Sequence, residues 1–128
     1  MQESTHFLTV RELAESLASG EMTSVQLTQM YLDRAEELDP PPFDLPSEPR
    51  SDHEGQLSTM VTIAREHALE SAEQADAELR SGRRRSILHG IPYGVKDLLD
   101  TDGIRTTWGS GIFRDRVPER NAAVIDKL

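Results

Sequence analysis

Residues 89–110 read HGIPYGVKDLLDTDGIRTTWGS, and the parsing of this stretch decides what kind of protein the chain is. Ile91, Tyr93 and Val95 recur at every second position, as on one face of a strand, with Pro92, Gly94 and Lys96 on the other. Pro92 has no N–H to give to a ladder, which assigns it to the start of a strand or to an exposed edge. Lys96 therefore emerges beside a residue without a side chain. Asp102 and Gly103 make a turn. Gly109 and Gly111 around Ser110 predict a tight loop in which the backbone approaches something closely.

Upstream of this stretch, Leu57, Thr59, Val61 and Ile63 alternate, predicting a strand over 57–64. Ala64, Ala68, Leu69, Ala72, Ala75 and Leu79 then switch to helical spacing, and their small side chains let such a helix lie close to a sheet. Gly82 is positioned to end that helix, with Arg83, Arg84 and Arg85 next to the negative end of its dipole. The triple arginine reads as a solvated connector, because no aromatic residues interleave with it as a nucleic-acid surface would require. Residues 40–56, PPPFDLPSEPRSDHEGQ, hold five of the seven prolines and read as a long exposed loop.

Before that loop, two short helices are expected. Val10, Leu13, Ala14, Leu17 and Ala18 form one apolar stripe behind a capping-box pattern, Thr9 with Glu12, and Gly20 can end it. Thr23 with Gln26 repeats the pattern ahead of Leu27, Met30, Tyr31, Ala35 and Leu38, and Pro40 stops the second helix. Each has a single stripe to bury, so the pair should pack as a hairpin. At the other end, Asn121 looks like the N-cap of a helix carrying Ala122, Val124, Ile125 and Leu128. That helix has no ending within the chain. With Met1 as a natural start, the sequence reads as the N-terminal piece of a longer protein.

The chain has 128 residues, enough for one globular unit, with 14 Lys plus Arg against 23 Asp plus Glu and a net charge of −9. Bulk attraction to nucleic acid or to anionic lipid is disfavoured. The charge is uneven: residues 1–80 hold five basic and seventeen acidic side chains, residues 81–128 nine basic and six acidic. Without cysteine there is no disulfide framework, no thiolate nucleophile and no Cys-rich zinc site. His6, His53, His67 and His89 are scattered without the spacing of a ligand pair, and no glycine pattern cradles a phosphate, so neither a metal nor a cofactor is expected. No signal peptide precedes the first helix, and no stretch approaches the roughly 20 apolar residues of a membrane span, which leads to a cytoplasmic assignment.

Only two of the basic residues are lysines, Lys96 and Lys127. A lysine at the end of an apolar strand acts as a general base only if burial or a neighbouring cation lowers its pKa far below about 10.4. The plainer reading is a lysine reaching to solvent from an edge, or pairing with Asp97 or Asp100. Ser110 invites a triad with His89 and Asp97, but no strand leads directly into the serine as in a nucleophile elbow.

The run HGIPYGVKDLLDTDGIRTTWGS followed by PERNAAVIDKL resembles the N-terminal part of the amidase signature enzymes. The segments GEMTSVQLTQMYLDRAEELD and TMVTIAREHALESAEQADAELRSG fall in that family's order, so the resemblance covers most of the chain, with the proline-rich loop its weakest stretch. The combination of HGIP and GVKD with Thr106, Thr107, Gly109 and Ser110 downstream carries it. The resemblance implies an α/β fold: residues 1–128 would be the N-terminal part of a single amidase domain, with a helical hairpin at 1–39, the loop at 40–56 and the start of a mixed β-sheet core flanked by helices at 57–128.

It further implies hydrolysis of a carbon–nitrogen amide bond by a Ser/cis-Ser/Lys mechanism in which Lys96 matches the catalytic lysine, drawing a proton from the nucleophilic serine through the second serine. Both serines and the oxyanion hole belong to a glycine- and serine-rich segment absent from these 128 residues, so the piece alone is expected to be inactive. Where the family often has Asp at the start of the last helix, this chain has Asn121, which can still cap. The expected partner is a small-molecule amide, with no nucleic acid bound directly and no membrane. Sheet edges left open predict self-association into a homo-oligomer. Two other functions fit the same residues: the glutamine-hydrolysing subunit of a tRNA-dependent amidotransferase, and a non-catalytic interaction or scaffold protein that has lost the serines.

Overall fold

A computed structural model describes residues 3–38 and 59–128. Two compact units divide them: one comprises the chain through Arg34 together with Arg65–Tyr93, the other the described parts of Ala35–Ala64 and Gly94–Leu128. The expected loop at 40–56 lies outside the described residues.

The first unit is helical, and its helices begin and end where local chemistry dictates. In α1, Val10–Ser19, the Thr9 hydroxyl accepts from the Glu12 N–H at 3.3 Å while the Glu12 carboxylate accepts from the Thr9 N–H at 2.7 Å, completing the capping box. The hydrogen bond from the Thr9 side chain, with that from its backbone, holds the Glu12 carboxyl below its ordinary range. Gly20, at φ +76°, ends the helix in the left-handed region that glycine enters without penalty. In α2, Ser24–Leu38, Thr23 and Gln26 make the same reciprocal pair, at 3.0 and 3.1 Å.

The start of α2 also receives a cap from a distant helix. Asp76 of α3, Arg65–Arg80, accepts from the N–H groups of Ser24 at 2.7 Å and Val25 at 3.2 Å. A carboxylate thus meets the positive end of the α2 dipole in a buried place. Asp76→Ala strands two of these donors. It is expected to cost about 1–3 kcal/mol, read by urea unfolding of the chain. A midpoint equal to that of the unsubstituted chain would show that solvent caps α2 equally well.

Helix α3 closes on Gly82, φ +79°, with Arg83 N–H donating to Glu78 O and Gly82 N–H to Leu79 O, the paired bonds of a Schellman motif. Leu13, Leu17 and Leu27 form the buried core of this unit, with Leu8, Met22, Met30, Tyr31, Leu79 and Ile91 against it. Gly90 explains the first half of the HGIP run: at φ +84°, its missing Cβ would stand 3.3 Å from the Ser24 Cβ, and its carbonyl accepts from the Ser24 hydroxyl at 2.7 Å.

The arginine run is tied into the first unit. Arg85 binds the Glu78 carboxylate with two nitrogens, Arg83 approaches it at 3.8 Å, and Arg84 donates to Ala14 O. Glu78 is held below the ordinary carboxylate range chiefly by the hydrogen bond from Arg85, which outweighs burial.

In the second unit the expected sheet is not formed: the described residues of the chain contain no strand. Of the segments expected as strands, 57–64 and 91–96, residues 57–58 lie outside the described residues and the rest has no regular structure; the one ladder-like contact among the described residues is an antiparallel bridge from Thr101 to Ile104 across the Asp102–Gly103 turn. The reason is that alternation only says which side chains share a face, whereas a strand exists through its hydrogen-bonded neighbour. Around 61–62 a side chain takes the neighbour's place: Arg105 donates to Val61 O at 2.7 Å and to the Thr62 hydroxyl at 3.3 Å.

The helix expected from Asn121 is also absent. Only a 3₁₀ turn, Ile125–Lys127, occurs there, because Asn121 Oδ1 accepts from the N–H of Asp102 at 2.7 Å and its amide donates to Asp126, leaving no cap for a helix. Among the described residues no helix is long and apolar enough to cross a membrane.

Candidate active site around Lys96

Lys96 sits where the chain turns. Its carbonyl accepts from the N–H groups of Leu98 at 2.7 Å and Leu99 at 2.9 Å, so the backbone folds back immediately after it. The next residue, Asp97, is half-buried and saturated: its carboxylate accepts from Thr107 N–H at 2.7 Å, from the Thr107 hydroxyl, and from Gly109 N–H at 3.3 Å. Burial pushes the Asp97 carboxyl up, but these hydrogen bonds, with the positive charge of Arg105, outweigh it and hold the group below its ordinary value. Asp97 O accepts from Trp108 N–H at 3.0 Å as well. One residue thus gathers three successive N–H groups of the loop.

The loop conformation that permits this is strained. Trp108 has φ +54° and Gly109 φ +70°. For glycine this is free, whereas for a tryptophan the left-handed region costs roughly 1–2 kcal/mol. Several contacts hold the indole there: Nε1 donates to Asp100 at 3.1 Å, the Arg116 guanidinium lies 4.1 Å from the ring centroid, and Phe113 meets it edge-on at 5.1 Å. Arg116 pairs with Asp100 through two nitrogens, and Thr106 N–H donates to Arg116 O at 3.0 Å. The hydrogen bond from Arg116 is the main reason that the Asp100 carboxyl lies below its ordinary range.

The consequence for Lys96 is direct. Both acids that could have neutralised it, Asp97 and Asp100, are committed to other groups, and among the described residues the exposed Lys96 side chain has neither a hydrogen-bond nor an ion-pair partner. The Ser110–His89–Asp97 triad does not form. His89 Nδ1 accepts from Arg85 N–H at 2.9 Å and its Nε2 lies 3.3 Å from Glu78, while the Asp97 carboxylate is taken by Thr107 and Gly109. The described residues contain no group of three or more side chains able to hold a metal ion. What the arrangement offers is an exposed amine, without a partner among the described residues, on a turn tied by hydrogen bonds.

Thr107 is visible in the sequence as part of a motif, but its task is not. Fully buried, it serves Asp97 from ten residues away. Arg116 and its indole contact have no local signal at all.

Comparison with known proteins adds an independent line. A family model described as Amidase matches residues 50–128. A glutamyl-tRNA(Gln) amidotransferase subunit of Thermoanaerobacter pseudethanolicus is 32% identical over 121 residues, covering 94% of this chain. The proteins of the same name from Acinetobacter baylyi and Chloroflexus aggregans are each 37% identical, over 122 and 123 residues, covering 95% and 96% of the chain. The chain spans 22% of the length of each of these relatives.

Proposed function

The chain belongs to the amidase family, and we propose that it supplies the catalytic lysine, Lys96, of an enzyme that hydrolyses a carbon–nitrogen amide bond. What supports this reading is the GVKD stretch within the matched segment, together with the fact that the two acids nearest Lys96 in sequence, Asp97 and Asp100, are engaged elsewhere and that among the described residues the amine has no counter-ion. Lys96 is exposed, so the burial a general base needs would come, on this reading, from the segment that carries the serines. A direct ion pair with a neighbouring acid would hold the amine protonated, and neither Asp97 nor Asp100 makes one. In the proposed reaction the neutral amine takes a proton from a cis-serine, which takes one from the nucleophilic serine attacking the amide carbonyl. Both serines lie outside these 128 residues, as does the oxyanion hole. The chain is then the N-terminal part of one amidase domain whose mixed sheet is completed by further residues.

A second reading has a specific observation in its favour. Three relatives at 32–37% identity carry the name of a glutamyl-tRNA(Gln) amidotransferase subunit. On that reading the amide is glutamine and the ammonia released is passed on to a tRNA-dependent amidation.

The 128-residue chain alone is expected to turn over no amide, because Lys96 then has no serine to activate. Its complete gene product is expected to hydrolyse one. Turnover by the purified chain that Lys96→Ala abolishes would overturn the assignment of the nucleophile to another segment. Glutamine hydrolysis that depends on added partner subunits would favour the amidotransferase reading; hydrolysis of simple aliphatic or aromatic amides without partners would favour the free-standing amidase.

A further inference from the structure

Asp97 stands next to the one residue of this chain placed in the chemistry, yet its carboxylate is turned to a loop ten to twelve residues downstream. Three donors converge on it: Thr107 N–H, Thr107 O–H and Gly109 N–H. A fourth bond, from Trp108 N–H to Asp97 O, ties the backbone of the same residue to the same loop. The loop reaches this geometry only by holding Trp108 at φ +54°. Strain of that kind persists where the surroundings over-determine it, and here the Asp97 bonds to the backbone of the loop act together with the Asp100, Arg116 and Phe113 contacts to the indole.

Two physical effects on Lys96 follow. The residue on its C-terminal side is fastened by four hydrogen bonds, three to its carboxylate and one to its carbonyl, which restricts the backbone from which the amine is presented. The acid nearest in sequence, which would otherwise be free to pair with that amine, accepts from three neutral donors of the loop instead. We infer that Asp97, clamped by Thr107 and Gly109, is a positioning residue that fixes the Lys96 turn and keeps its carboxylate directed away from a direct ion pair with the Lys96 amine. This rests on the reading of Lys96 as the proton acceptor. Thr107 is the switch of the clamp, since its hydroxyl is the one side-chain donor of the three and it is wholly buried against Asp97.

The test uses the complete enzyme and four variants, with kcat, KM and the pH dependence of kcat measured on one simple amide. Thr107→Val keeps the shape and removes the hydroxyl. It is expected to lower kcat on the order of tenfold or more, as small misplacements of a reacting group do, with KM within about twofold. Its acid limb is expected to move to higher pH, because a carboxylate released beside an amine favours the protonated amine. Thr107→Ser keeps the donor and is expected to restore both values. Asp97→Asn loosens the turn but leaves no charge to pair, so kcat falls while the acid limb stays in place.

Lys96→Ala is the reference. If it abolishes turnover while Thr107→Val and Asp97→Asn keep the kcat and pH profile of the unsubstituted enzyme, the positioning role is overturned and the base assignment stands. Equal losses in Thr107→Ser and Thr107→Val overturn it too, since only one of them lacks the donor. Turnover surviving in Lys96→Ala overturns the base assignment and the inference with it. If Thr107→Val does not fold, the opposite behaviour of kcat and acid limb in Asp97→Asn decides the matter alone.

Discussion

Lys96→Arg in the complete enzyme is expected to reduce amide turnover by on the order of 10² to 10⁴, the range that a positioned general base contributes. Arginine keeps the length, the charge and the donor capacity of the side chain, but its guanidinium does not give up a proton at working pH, so it cannot receive one from a serine. Lys96→Ala should be at least as damaging to turnover. Neither change is expected to disturb folding: Lys96 is exposed and its side chain makes no hydrogen bond or ion pair with a described residue that could be lost, and surface substitutions of this kind stay within about 0.5 kcal/mol. The combination is diagnostic. Near-normal turnover in Lys96→Arg, with an unchanged unfolding midpoint, would show that the position supplies charge rather than proton transfer.

The second large effect is expected in stability. Leu27 is completely buried and packs with Leu13 and Leu17 of α1 in the core of the first unit. Leu27→Ala should cost about 2–5 kcal/mol, the sum of lost transfer energy and the cavity left where the surroundings cannot collapse. Urea unfolding of the chain, compared with the unsubstituted protein at the same concentration, reads it. A loss well under 1 kcal/mol would mean that Met22 and Met30, both flexible and adjacent to this cluster, refill the space. On the proposed assignment the two substitutions are expected to differ in kind, Lys96→Arg lowering turnover with little change in stability and Leu27→Ala lowering stability.

The absence of strands among the described residues bears on how the family relationship is read. The amidase family implies an α/β fold, and residues 59–64 and 91–96 carry the alternating pattern that a sheet would use. The relatives are more than four times longer than the stretch they share with this chain, 22% of their length. The Lys96 turn nonetheless stands without a ladder, because Asp97, Thr107, Trp108 and Gly109 hold it by side-chain and loop hydrogen bonds of their own. Apolar side chains in the same unit, including Val95, Leu98, Ile112 and Val124, remain exposed.

Features whose hydrogen bonds or dihedral angles are local could be read directly from the residues. Thr9 with Glu12 and Thr23 with Gln26 cap their helices from three residues away, and Gly20 and Gly82 end theirs through their own φ angles. The helical period of 65–79 and the Asp102–Gly103 turn needed nothing from elsewhere in the chain. The long-range acceptors were settled only by the folded chain. Asp76 caps a helix some fifty residues earlier, Asn121 is captured by the Asp102 N–H nineteen residues back, and Asp97 is claimed by Thr107 and Gly109. A carboxylate or an amide bonds to whichever donor the fold brings within reach, and a strand to whichever strand lies beside it. Neither neighbour is written in the residues next to it, which is why the alternating segments form no strand among the described residues and why only the folded chain showed that Asp97 and Asp100 bond to groups other than Lys96.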